Sequence, residues 1–137
     1  MFVRNAWYVA AWAREVSGLH AVTMLGEEIV IFRKSDGSYA ALEDACPHRK
    51  LPLSMGKVVG DDIECGYHGL KFDCTGACIR VPATPNAAAN ARVRAYPVED
   101  RYGLTWVWTG DAARATSRFS SSVPPKSCFN RWFSATA

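Results

Sequence analysis

Cys46-Pro47-His48 and Cys65-Gly66-Tyr67-His68, separated by the sixteen residues Arg49 to Glu64, are where this chain could do chemistry. The pattern is C-x-H, a long spacer, then C-x2-H. Each short segment offers one thiolate and one imidazole. A 2Fe-2S cluster can use such a set: two thiolates hold one iron and two neutral imidazoles hold the other. Neutral ligands in place of two thiolates make the cluster less negative and easier to reduce. Zinc also accepts two Cys and two His in a tetrahedron, but its usual spacings pair like ligands, C-x2-4-C and H-x3-5-H. Here both pairs are mixed and one spacer is a single residue, so the spacing favours the iron cluster over zinc.

The elements around these segments read as strands. Trp7-Tyr8-Val9 form a first one. Ala21 to Leu25 and Ile29 to Phe32 are short apolar runs about a Gly26-Glu27-Glu28 turn. Asp36-Gly37, between Ile29–Phe32 and Tyr39–Leu42, is a hairpin signal. Lys57–Val59, Gly60-Asp61 and Ile63 make a second hairpin. Lys71–Asp73, Thr75-Gly76 and Ile79–Val81 make a third. Pro82, Pro85 and the Ala/Asn run 86 to 91 form a loop. Arg92 to Glu99 alternates as one strand, Tyr102-Gly103 turns, and Leu104 to Trp108 is the last strand. Only Ala10 to Val16 could hold a helical turn or two. Short strands separated by frequent turns predict an all-β antiparallel sandwich or small barrel.

Composition narrows the function classes. The chain has 137 residues, enough for one domain with a real core. No apolar run approaches a membrane span, and the start is a poor secretion signal, with two Trp and a Tyr in its apolar stretch. Five Cys with two committed to iron suit a reducing cytoplasm. Residues 1 to 110 carry twelve Lys+Arg and twelve Asp+Glu. The excess charge of +3 therefore lies in the tail, where Arg114, Arg118, Lys126 and Arg131 face Asp111 alone. A folded part without a basic stripe gives no support to nucleic-acid binding.

The chain resembles the N-terminal Rieske domain of Rieske non-haem iron oxygenases, most closely the vanillate O-demethylase, dicamba demethylase and toluenesulfonate methyl-monooxygenase group. The likeness is carried by Phe2 to Ala11, Cys46-Pro47-His48-Arg49, Leu51-Pro52-Leu53-Ser54, Cys65 to Asp73, Gly76-Ala77-Cys78, Tyr96-Pro97-Val98-Glu99 and Trp106-Val107-Trp108. It covers about residues 1 to 112. It implies a β-sandwich with an inserted cluster-binding subdomain near residues 43 to 82. It implies Cys46, His48, Cys65 and His68 as ligands of a Rieske 2Fe-2S cluster, both histidines binding through Nδ1 with Nε2 left for electron exit. It further implies electrons received from a flavin or ferredoxin-type reductase and passed to a mononuclear Fe(II). That iron belongs to a separate catalytic domain of a full-length protein, which could be a homotrimer.

The sequence departs from that family in two ways. The mononuclear iron needs two His and a carboxylate, and the only His besides His48 and His68 is His20, expected at an exposed or strand-edge position. Residues 113 to 137 do not follow the family pattern and are expected to be a truncated or disordered tail, or, through Phe129, Trp132 and Phe133, a partner-binding one. Cys74 and Cys78 are expected to be plain small residues. The disulfide of respiratory Rieske proteins is absent, since the ligand loops carry Pro47, Arg49, Gly66 and Tyr67 instead. Those proteins also place a Ser and a Tyr two and four residues after the second ligand His, where this chain has Leu70 and Phe72. Two functions stay open: the electron-transfer domain of an oxygenase component, with its oxidising half elsewhere, or a free-standing Rieske-type ferredoxin. No catalytic residue is assigned to this chain.

Overall fold

The computed structural model describes residues 5–47, 51–66, 69–80 and 91–111. Among the described residues eleven strands, all in antiparallel pairs, form three sheets. Sheet 1 has the order β1-β11-β10, from β1 (Ala6–Trp12), β10 (Val98–Arg101) and β11 (Leu104–Thr109). Sheet 2 has the order β2-β3-β4-β9, from β2 (His20–Met24), β3 (Glu27–Arg33), β4 (Tyr39–Glu43) and β9 (Ala95–Tyr96). Sheet 3 has the order β5-β6-β7-β8, from β5 (Lys57–Val59), β6 (Asp62–Glu64), β7 (Lys71–Phe72) and β8 (Cys78–Arg80). The only helical elements among the described residues are single 3-10 turns at Ala13–Glu15 and Leu53–Met55. No helix there is long and apolar enough to cross a membrane.

Sheet 2 is the middle layer. Ile29, Val30, Ile31 and Phe32 of β3 are all fully buried. Successive side chains of a strand point to opposite faces, so an unbroken apolar run means that both faces are covered. Ile29 and Ile31 pack with Val16, Ala41, Tyr96 and Val107, against sheet 1. Val30 and Phe32 pack with Leu42, Leu53, Ile63, Leu70 and Phe72, against sheet 3.

Four expectations need correction. The turn before β3 is Leu25-Gly26 alone, both with positive φ (53° and 77°), and Glu27 and Glu28 lie inside the strand. That φ pair matches the right-handed twist of a hairpin, and only the glycine announces it in sequence. Ala10–Trp12 continues β1, which leaves one 3-10 turn where two helical turns were possible. The stretch from Arg92 to Glu99 is two strands in different sheets: β9 pairs with β4, β10 pairs with β11, and Pro97 stands between. Proline has no N–H to give a ladder, while the Pro97 carbonyl accepts from Trp108 N at 2.9 Å. Lastly, Cys74 is disulfide-bonded, whereas Cys78 is not. His20 opens β2, an edge strand, and is half-buried opposite Ile31. The loop expected at 82 to 91 lies outside the described residues except for Ala91. So does the whole of the tail, residues 113–137.

Candidate metal centre

Cys46 follows β4 by three residues, and Cys65 follows β6 directly. The two segments close in the same way. Cys46 N donates to Leu51 O at 2.8 Å, and Cys65 N donates to Leu70 O at 2.7 Å. Each cysteine therefore opens a six-residue loop whose ends are tied by its own amide, and each loop ends on a leucine. Cys46 is 2 % exposed and Cys65 3 %, and both belong to the apolar cluster shared by sheets 2 and 3. Neither is in a disulfide. His48 and His68, the imidazole-bearing positions of the same two segments, lie outside the described residues, as do Arg49, Lys50 and Tyr67.

Two buried cysteines on matched loops, neither oxidised, suit a metal that takes thiolates. Metal coordination deprotonates a thiol outright and supplies the positive charge that makes a buried thiolate tolerable. On that ground the two cysteines fit the thiolate half of a mixed donor set.

The loops lean on the 3-10 turn Leu53–Met55. Leu53 is fully buried in the same cluster. Gly56 packs so closely on the second loop that a Cβ there would stand 2.0 Å from Glu64 O and 3.1 Å from Gly66 N. Gly66 answers it, with its own ideal Cβ position 3.0 Å from Met55 O. On the other side, Asp44 accepts two hydrogen bonds from Ser54, from N and from Oγ, each at 2.7 Å. Spacing and ligand type did not single out Asp44. Its only sequence signal is a charged residue two positions before C-x-H. The Ser54 hydroxyl is engaged by Asp44, and the Gly69 amide donates to Cys65 O at 3.1 Å, so neither is a ready donor to cluster sulfur.

A second polar group lies beside sheet 2. A cleft of about 320 Å³ is lined by Glu27, Glu28, Glu43, Asp44, Arg94 and Tyr96. Arg94 pairs with Glu27 at 3.1 Å, donates to Gly110 O at 2.6 Å, and stacks over the Tyr96 ring. Burial, then the charge of Glu27, pushes the Tyr96 phenol up to about 12. Glu43 accepts from Arg94 N and Asp44 from Ser54, so the carboxylates of Glu27, Glu43 and Asp44 and the Arg94 guanidinium are all engaged, and we read the group as structural.

Comparison with known proteins agrees with this geometry. A family model described as the Rieske [2Fe-2S] domain matches residues 6–97. The iron-sulfur subunit of the toluene-4-sulfonate monooxygenase system of Comamonas testosteroni is 44% identical over 117 residues, covering 84% of this chain and 34% of the relative. The oxygenase component of dicamba O-demethylase from Stenotrophomonas maltophilia is 47% identical over 116 residues, covering 83% and 34%. The crystal structure of apo dicamba monooxygenase superposes with a TM-score of 0.79 at 44% identity, over 90% of this chain and 38% of that one. The chain thus spans about a third of the length of the curated relatives it matches.

Proposed function

Because this chain belongs to the Rieske [2Fe-2S] domain family, we propose that Cys46 and Cys65 hold one iron of its cluster and His48 and His68 the other. When bound, the cluster supplies a one-electron carrier. The residues of the chain do the rest. The two amide-tied loops fix both cysteines in one buried apolar cluster. Burial of the sulfurs excludes water from that side. Residues 43 to 82, which include sheet 3 and both loops, act as the cluster-binding subdomain of a Rieske domain spanning residues 1 to 112.

The single observation that carries this reading is the pair of buried, reduced cysteines on identically closed loops. The domain is an electron-transfer domain of the oxygenase-component type. The relatives are subunits or components of oxygenase systems, so the free-standing ferredoxin is not favoured. The finer reading is that it serves an O-demethylating or aromatic-ring monooxygenase. There it would take electrons from a flavin or ferredoxin-type reductase and pass them to a mononuclear iron in a catalytic domain, in the cytoplasm and, at full length, as a trimer. The one remaining imidazole, His20 on the edge strand β2, does not make the two-His iron site that such chemistry needs.

Anaerobic reconstitution with iron and sulfide tests the assignment. The expected product shows visible iron-sulfur absorption and, once reduced, a Rieske-type electron paramagnetic spectrum at about two irons per chain. A chain that takes up zinc instead, with no such spectrum, would overturn it. Supplying Fe(II), a reductase and methoxy-aromatic substrates should give no formaldehyde from this chain alone.

A further inference from the structure

Asp44 is a carboxylate that is only 5 % exposed. Burying a charge is costly unless it is well hydrogen-bonded. Its backbone N donates to Glu28 O at 3.0 Å, which ties it to β3 of the middle sheet. Its side chain engages one partner residue: Oδ1 accepts from Ser54 N and Oδ2 from Ser54 Oγ, both at 2.7 Å. Asp44 stands two residues before Cys46, and Ser54 three residues after Leu51. The carboxylate therefore closes the neck of the first loop a second time, outside the Cys46–Leu51 bond.

The same turn reaches the second loop. Ser54 lies in the 3-10 turn Leu53–Met55, and Gly56, the next residue, is pressed against Glu64 and Gly66 on either side of Cys65. A continuous chain of contacts runs from β3 through Asp44, Ser54 and Gly56 to the residues flanking Cys65.

We propose that Asp44 is a positioning residue for the cluster: through Ser54 and the 3-10 turn it sets the placement of the first ligand loop relative to the second. The proposal rests on the ligand assignment above. A carboxylate suits the task because its two oxygens receive both Ser54 donors at once. An asparagine could do nearly the same, accepting from Ser54 N through its carbonyl oxygen and donating its amide N–H to Ser54 Oγ.

The test uses the full chain, reconstituted, with Asp44→Ala, Asp44→Asn, Ser54→Ala and the Asp44→Ala/Ser54→Ala double variant. Three readouts are taken: the half-life of the visible chromophore under a chelator, the line width of the reduced cluster's paramagnetic spectrum, and thermal melting of the sheets. Outer-shell partners of metal ligands typically change metal affinity 10–100-fold. Asp44→Ala should shorten the chromophore half-life about tenfold or more and broaden the spectrum. Ser54→Ala should act in the same direction, the double variant should be no worse than Asp44→Ala, and Asp44→Asn should restore both readouts. A half-life within about twofold of the parent in Asp44→Ala, or an Asn variant as damaged as Ala, overturns the proposal. If Asp44→Ala does not load at all, Ser54→Ala decides by the same two readouts. A parent chain without the Rieske spectrum instead overturns the ligand assignment, and the proposal with it.

Discussion

Sheets 1 and 2 and sheet 3 are built on different terms. In the first pair the long strands run six or seven residues, as in β1, β3 and β11. In sheet 3 three strands have three residues and β7 has two. Strands that short are at or below the lower end of the usual range and make few ladder bonds. Sheets 1 and 2 enclose their own apolar cluster, around Ile29, Ile31 and Val107. The side chains of sheet 3 and its loops share one with the middle sheet, so Val30, Phe32 and Leu42 form a wall that the cluster lobe borrows. The lobe that carries the chemistry thus depends on a neighbour's wall and, on our assignment, on metal. The other half shares that wall too, but it also has an apolar cluster of its own and needs no metal.

The largest effect that could break this contrast comes from the ligands. Cys65→Ser should abolish the visible absorption. It should also speed amide exchange through β5–β8 while β3 and β4 keep their protection, because metal binding is coupled to folding. A mutant with a full, unchanged cluster would sink the ligand assignment. Uniform loss of protection across all three sheets would sink the contrast. Next in size are two truncations on one strand. Phe32→Ala should cost about 3–5 kcal/mol and Ile31→Ala about 2–5 kcal/mol, read as denaturant midpoints. Only Phe32 faces the shared wall. Its loss should therefore also hasten cluster release from the folded chain, whereas Ile31→Ala should leave that rate unchanged.

Much of this was legible in sequence, for reasons that can be named. Hairpins with polar or glycine turns, such as Gly60-Asp61 between β5 and β6, were visible because the turn chemistry is local. The switch at Pro97 was not. The alternation of Arg92 to Glu99 continues through it, and only the pairing partners reveal two sheets. The three-layer stack was hidden for a similar reason: an apolar run such as Ile29–Phe32 says that both faces are buried, not what covers them. At the site, ligand type and spacing singled out Cys46 and Cys65, since coordination chemistry constrains both. Asp44 and Ser54 escaped, because a carboxylate–serine pair has no spacing rule and its meaning depends on what it bridges.

The reduction potential separates the two regions in another way. Hydrogen bonds to cluster sulfurs stabilise the added electron and raise the potential. Leu70 and Phe72, where respiratory relatives have hydroxyl residues, are 6 % and 0 % exposed and pack into the shared wall. The Ser54 hydroxyl and the Gly69 amide are already engaged. Each missing charge-assisted bond is worth about 1.5–3 kcal/mol, on the order of a hundred millivolts for one electron. The midpoint should therefore lie near the low end of the Rieske range, about −150 mV. Protein-film voltammetry at neutral pH measures it, and a value above about +100 mV would show that strong donors had been overlooked.

The smallest expected effect belongs to the half without metal. Burial and the neighbouring Glu27 carboxylate raise the Tyr96 phenol from 10.0 to about 12. The folded chain therefore holds that proton more tightly than the unfolded chain does. Below pH 10 the phenol is neutral in both states and stability does not depend on it. Between about pH 10 and 12 the unfolded state ionises first, so stability falls as pH rises. The loss should reach about 1.4 kcal/mol near pH 11, one pKa unit's worth. Tyrosinate absorbance should show the late titration of Tyr96, and denaturant midpoints should drop over the same window. Glu27→Gln removes the charge beside the phenol but leaves its burial, so the late titration should move only part of the way back. A full return would mean that Glu27, not burial, dominates. If the alkaline loss instead tracked cluster release and left β3 and β4 protected, it would belong to the lobe, and the contrast between the two halves would lose its second support.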